Sequence, residues 1–174
     1  MNDWGRRTYG EPCSVCGFSW AVPEETVRDA IDNAPVAFGS LVAGRTGSER
    51  MPSLTWSVQA YVWHAGDNVR IWAERLAAAA SGSGPTVAGY DQDDLAEARG
   101  YEAMPLGAAL WSLDRATVDW REASRMVGDR ADTVIEHRAM GSFTLAEVTM
   151  QVGHDLHHHL DDVRGILGYR GGST

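Results

Sequence analysis

Apolar side chains recur at helical spacing in four long stretches of the chain, and the residues at their ends are ones that start and stop helices. In the first, Val27, Ile31, Ala34, Phe38 and Leu41 follow Pro23-Glu24-Glu25-Thr26, where a proline at the first turn and two acidic side chains favour a helix N-terminus. Pro35 lies inside this run and predicts a kink or break near Asn33. A second helix is predicted over about 54–80, with Ser53 as its cap and Leu54, Val58, Tyr61, Val62, Val69, Ile71, Trp72 and Leu76 among its apolar positions. Ser81-Gly82-Ser83-Gly84-Pro85 stops it. A third opens at Pro105 and runs to about Val127, with Leu106, Leu110, Leu113, Thr117 and Trp120 on one face and Trp111 and Val118 beside it. The last begins at Thr144-Leu145-Ala146-Glu147, a T-x-x-E capping box, and ends near Gly168.

Between these stretches the pattern is broken. Residues 1–21 read as an irregular arm punctuated by Gly5, Gly10, Pro12 and Gly17. The connection over 86–104 holds a short helix at 91–98, and that over 128–143 is briefly extended at Thr133-Val134-Ile135-Glu136 before a turn at 138–141. Four long helices without a strand ladder predict an all-α fold, a four-helix bundle, with residues 1–174 as a single domain.

Composition narrows the function. A 44% hydrophobic and 22% charged chain is that of an ordinary globular protein. Its net charge of -9, from 24 acidic and 15 basic residues, opposes a nucleic-acid surface. No window is apolar enough to span a membrane, and residues 1–7 lack the apolar stretch of an export signal, so a cytoplasmic protein, monomer or homodimer, is expected.

Four of the six histidines lie in Gly153-His154-Asp155-Leu156-His157-His158-His159-Leu160-Asp161-Asp162. His154 and His158 are one turn apart on one helix face, a spacing at which both imidazoles reach one divalent ion. A solvated histidine patch has the same composition, but this run sits inside an apolar-periodic helix. His64 falls in the middle of the second long helix, where the plain alternative is a core imidazole bonded to a neighbour. If those two helices are adjacent, His64, His154 and His158 converge, and three nitrogens leave tetrahedral zinc an open position. Nickel or manganese would also suit imidazoles. Asp67, Asp161 and Asp162 are placed to orient ligand rings by hydrogen bonding, and Asn68 to orient rings or substrate. On the helical wheel His157 lies nearer the ligand stripe than His159, which makes it the candidate for proton transfer. The only cysteines, Cys13 and Cys16, form one CxxC. It is half of a zinc site whose other ligands come from elsewhere, a redox dithiol, a disulfide, or two plain thiols in a turn.

Two motifs in this order carry a family resemblance. Tyr61-Val62-Trp63-His64-Ala65-Gly66-Asp67-Asn68-Val69-Arg70-Ile71-Trp72-Ala73-Glu74-Arg75-Leu76 resembles the second-helix motif of the DinB-like superfamily, and the segment from His154 to Asp162 resembles its His-x-x-x-His motif on the last helix. Tyr90-Asp91-Gln92-Asp93-Asp94-Leu95-Ala96-Glu97-Ala98-Arg99 and the Cys13-x-x-Cys16-Gly17-Phe18 arm look like an actinobacterial branch. The resemblance implies a DinB-type four-helix bundle in which His64, His154 and His158 are the metal ligands. It also implies an enzyme that joins a low-molecular-weight thiol such as mycothiol to an electrophile, or uses the thiol to isomerise a substrate. The CxxC arm is outside the family pattern. A non-enzymatic metal-binding or stress-related module and a metal-dependent hydrolase are the competing expectations on the same fold. A scaffold whose histidines are merely structural is a further one.

Overall fold

The computed structural model of the protein describes residues 3–83, 86–128, 132 and 134–169. In chain order its helices are α1 (Trp4–Tyr9), α2 (Glu24–Leu41), α3 (Val58–Ala80), α4 (Gln92–Arg99), α5 (Leu106–Val127) and α6 (Leu145–Ile166), with a 3-10 turn at Tyr101–Ala103. The long helices α2, α3, α5 and α6 form the bundle. α3 packs on α5 and α6, and α2 packs on α6 and α5, so the two histidine-bearing helices are neighbours. Close approach at two of these seams needs glycine. A Cβ at Gly66 would lie 3.2 Å from the backbone nitrogen of Leu113 on α5, and one at Gly153 only 2.0 Å from Val27 on α2. No helix among the described residues is long and apolar enough to cross a membrane.

The helix starts follow their caps. Thr144 and Glu147 close the capping box at α6, and the Asp91 side chain accepts from the amides of Asp93 and Asp94 at α4. The cap of α3 is Ser57 rather than Ser53: its side chain accepts from Ala60, and the amides of Val58 and Gln59 donate to Glu49 and Gly47 of the preceding loop. Long-range bonds to that loop satisfy the first turn where Ser57 stands, so the helix begins four residues later than Ser53 predicts.

Pro35 does not break α2, which is continuous over Glu24–Leu41. An internal proline costs ~3 kcal/mol, while each fully buried aliphatic or aromatic side chain contributes ~1.5–3 kcal/mol. Val27, Ile31 and Phe38 are all buried with Ala34 on one face, so burial wins. Trp111 and Val118 of α5 are exposed, Trp111 at 68%, because their side of the helix faces away from α3 and α2.

One feature departs from an all-helical chain. β1 (Thr86–Val87), β2 (Ile135–His137) and β3 (Gly141–Phe143) form a small sheet in which β2 runs parallel to β1 and antiparallel to β3. It ties the connection after α3 to the hairpin before α6 and brings His137 beside Trp72, with ring centroids 6.4 Å apart. Gly84, Pro85 and Thr133, which the sequence places in the helix stop and the extended segment, lie outside the described residues. The arm is not wholly irregular, since it contains α1 and folds back along α6.

Candidate metal centre

Helix α6 carries two i, i+4 pairs one residue out of step, His154 with His158 and Asp155 with His159. On an α-helix such stripes lie ~100° apart and face different neighbours. The 155/159 stripe faces α3 and meets His64, and the 154/158 stripe faces the arm and meets Cys13 and Cys16. The three histidines expected to share one ion are therefore divided between two clusters. His159, which the helical wheel set away from the ligands, is buried beside His64, with ring centroids 4.7 Å apart.

In the first cluster the donor atoms of His64, Asp155 and His159 all lie within 4.8 Å of one another. Nε2 of His64 is 3.8 Å from Oδ2 of Asp155, and Nε2 of His159 is 3.6 Å from Oδ1. These spacings are too long for hydrogen bonds. They are close to the ~3.4 Å that separates two ligands of one ion with tetrahedral bonds of ~2.1 Å. His64 is 1% exposed, yet neither of its ring nitrogens has a hydrogen-bond partner among the described residues, nor has Oδ2 of Asp155. A buried polar group left unpaired costs ~1–3 kcal/mol. Orphaned atoms aimed at one another across two helices are what a shared cation would satisfy, so the donor set fits a divalent metal. Trp56 and Tyr61 wall this cluster, their rings 5.0 Å from His64 and 5.3 Å from His159.

His159 donates from Nδ1 to Oδ2 of Asp162 at 3.0 Å, which leaves Nε2 toward Asp155 and His64. Burial works against a charge on His159, but Asp155 and Asp162 outweigh it and raise its pKa to about 9. Burial likewise opposes the charge on Asp155, and the His159 and His64 rings overcome it, holding this carboxyl far below its usual range. On the other stripe burial and the neighbouring His158 push His154 down to about 4, and burial and His159 lower His158.

In the second cluster Cys13, Cys16, His154 and His158 place one donor atom each within 4.8 Å of the others. Both cysteines are free thiols, Cys13 buried and Cys16 partly so. Sγ of Cys13 is 4.0 Å from Nδ1 of His158.

A cleft of about 310 Å³ opens beside Asp155 and His154, lined by Asn68, Trp72, Arg75, Tyr90 and His137 together with Trp4 and Tyr9 of the arm. The Arg75 guanidinium donates to the carbonyl of Ala88 and lies 4.6 Å over the Trp72 ring. Burial keeps the Tyr90 phenol protonated, and burial with the Arg75 charge lowers the pKa of His137. Nδ1 of His137 accepts from the amides of Ala139 and Met140, so its proton resides on Nε2.

Other residues singled out in the sequence are placed as follows. Asn68 is in the cleft. His157 is on the arm side, donating from Nε2 to the carbonyl of Cys16 at 3.1 Å. Asp67 does not orient an imidazole. Fully buried, it accepts from the Tyr101 hydroxyl at 2.6 Å and pairs with Arg70 at 2.9 Å and Arg99 at 2.8 Å, because α3 turns it toward α4. Asp161 is half-buried near Cys16 and His158, where its charge acts on both. His137 and Trp56 did not stand out in the sequence, and Asp155, His159, Arg75 and Tyr90 lay in the stretches singled out there without being given a ligand or substrate role. The i, i+4 spacing of Asp155 and His159 was the signal available for two of them.

Fold and site together define a four-helix bundle with histidine and carboxylate donors meeting between α3 and α6. No family model matches the chain, and no curated protein does. Among solved structures the fold is similar to that of YfiT from Bacillus subtilis, a probable metal-dependent hydrolase with an unusual four-helix bundle topology. The TM-score is 0.70 at 17% identity, over 86% of this chain and 92% of YfiT.

Proposed function

We propose that the protein is a divalent-metal-dependent enzyme in which His64, Asp155 and His159 hold the ion and the cleft beside Asp155 admits a small thiol and an electrophile. The observation that carries this reading is the orphaned donor set: the two nitrogens of His64 and Oδ2 of Asp155, buried and unpaired among the described residues beside an open cleft. Two imidazoles and one carboxylate are a ligand set that zinc, nickel and manganese all accept, and three protein donors leave a tetrahedral ion one position short. Bound there, the ion supplies Lewis acidity and lowers the pKa of a thiol brought to it.

The chain's own groups do the rest. Arg75 offers a fixed guanidinium to an anionic group on the thiol or its acceptor. Tyr90, held protonated, donates a hydrogen bond into the cleft, and Asn68 beside it orients the same partner. His137 holds a proton on Nε2. Trp72 and the arm's Trp4 and Tyr9 limit water at the site. A thiol such as mycothiol is supported by the DinB-like resemblance of the His64 segment. Hydrolysis is the second reading. It is favoured by the likeness to YfiT and would put water where the thiol stands.

A cobalt-substituted protein separates the two. The difference spectrum on adding mycothiol, bacillithiol, glutathione or cysteine should show new sulfur-to-cobalt charge transfer, and His64→Ala should show none. Bimane or haloarene alkylation should then depend on the metal. A spectrum indifferent to every thiol, with metal-dependent ester or amide cleavage, would leave hydrolysis.

A further inference from the structure

We propose that Cys13, Cys16, His154 and His158 bind a second ion, a structural zinc that clasps the N-terminal arm to α6. The proposal does not depend on the function of the His64 centre. It begins with the donors. A Cys-x-x-Cys pair from one segment and a His-x-x-x-His pair from one helix meet with all four ligand atoms within 4.8 Å. That is the donor set and spacing of tetrahedral structural zinc. The 4.0 Å from Sγ of Cys13 to Nδ1 of His158 is within a few tenths of an ångström of the ~3.6 Å edge expected for bonds of ~2.3 Å to sulfur and ~2.0–2.1 Å to nitrogen.

Burial points the same way. His154 is 4% exposed and Cys13 2%, and Nε2 of His154 has no hydrogen-bond partner among the described residues. Two thiolates cancel the double charge of the ion, so this site can be buried, and four protein ligands fill it. The first centre differs in both respects, having one anionic donor and a position free.

The arm is built to deliver the two sulfurs. The amide of Gly17 donates to the carbonyl of Cys13, with Gly17 at φ 74°, which turns the chain back directly after the second cysteine. Tyr9, Phe18 and Trp20 pack around the His154 ring at 4.6, 5.4 and 4.7 Å, leaving it 4% exposed at the edge of the cleft. His157 donates to the carbonyl of Cys16 from one turn along the same helix. The consequence reaches the cleft, because the same arm supplies Trp4 and Tyr9 to its wall. The clasp is therefore a positioning element for the cleft.

Untagged protein decides the matter. Titration with an organomercurial should release one equivalent of zinc as Cys13 and Cys16 react, and trypsin should then cut the arm after Arg6 or Arg7 faster. Two thiols that react without releasing zinc would overturn the proposal. In cobalt-loaded protein, sulfur-to-cobalt bands should be present before any thiol is added, persist in His64→Ala, and be lost in Cys13→Ser. Bands lost in His64→Ala would show that the sulfurs serve the ion of His64 and would also overturn it. Should Cys13→Ser fail to fold, the mercurial titration of the unmodified chain still gives the answer.

Discussion

Nδ1 of His159 lies 3.0 Å from Oδ2 of Asp162, three residues further along α6. The same oxygen is 4.0 Å from Nε2 of His158. One buried carboxylate thus lies between rings of the two clusters and fixes the first by accepting its Nδ1 proton. A carboxylate behind a ligand imidazole raises its basicity and holds its orientation, and losing one typically weakens metal binding ~10–100-fold. Asp162→Asn keeps the volume and removes the charge. Chelator competition should show affinity at the His64 centre lowered by about that ~10–100-fold factor with the fold intact. Unchanged affinity would mean that the His159 ring is not a ligand.

The pH dependence follows from the same pair. In the metal-free protein His159 is raised to about 9 by Asp155 and Asp162 against the cost of burial. A raised histidine stabilises the metal-free fold fully below its unfolded pKa of ~6.5, and that contribution is lost as pH rises through the folded value. Metal competes for the same nitrogen, so binding expels the proton and affinity should increase by up to ~10-fold per pH unit across this window. Calorimetry in buffers of different ionisation enthalpy should count a proton released at neutral pH and none well above 9. An affinity that is flat with pH would place the ion elsewhere.

The long helices were legible because their ends are chemically marked: Pro23-Glu24-Glu25 at α2, Pro105 before α5 and the Thr144–Glu147 box at α6, whereas α1 in the arm carried no such mark. The site was legible only to within one residue on α6. His154/His158 and Asp155/His159 have identical spacing, and which stripe faces α3 depends on the rotation of α6 in the bundle. That rotation is set by tertiary contacts such as Gly153 against Val27, which no local pattern encodes. The same holds for the arm. Two cysteines about 140 residues before the histidines give no local sign that they fold back onto them. Asp67 sits within a turn of His64, yet it serves Tyr101 and Arg99 from a connection whose path the periodicity leaves open.

Asp67 yields a prediction that separates stability from chemistry. Its carboxylate is fully buried and takes the Tyr101 hydroxyl at 2.6 Å together with Arg70 and Arg99. A hydrogen bond to a charged group contributes ~1.5–3 kcal/mol, while the pairs to Arg70 and Arg99, 32% and 40% exposed, add at most ~1 kcal/mol each because water can take up the arginines. Tyr101→Phe should therefore lower unfolding free energy in urea by ~1.5–3 kcal/mol, and Asp67→Ala, which also leaves the Tyr101 hydroxyl unpaired, by somewhat more. Both should keep the metal content of the unmodified protein at temperatures where they are folded. Metal loss in folded Tyr101→Phe would return Asp67 to the centre.

Arg75 tests whether the cleft reads substrate charge. Its guanidinium is held on two sides, by the Ala88 carbonyl at 2.8 Å and by the Trp72 ring, and its remaining donors share the cleft with Tyr90 and Asn68. A cation fixed in this way is ready for a carboxylate or other anionic group, and its planar fork suits a two-point contact that lysine lacks. It stands on the cleft wall, held by the Ala88 carbonyl and the Trp72 ring rather than by the ligand cluster, so it should bind ground state and transition state alike. Removing such a contact raises KM and leaves kcat unchanged. Arg75→Gln should raise KM for an anionic thiol or acceptor by ~10-fold, the effect of losing ~1.4 kcal/mol. Arg75→Lys should recover only part of this. A neutral analogue should be used equally well by all three proteins. A fall in kcat with KM unchanged would instead place the guanidinium at the reacting atoms.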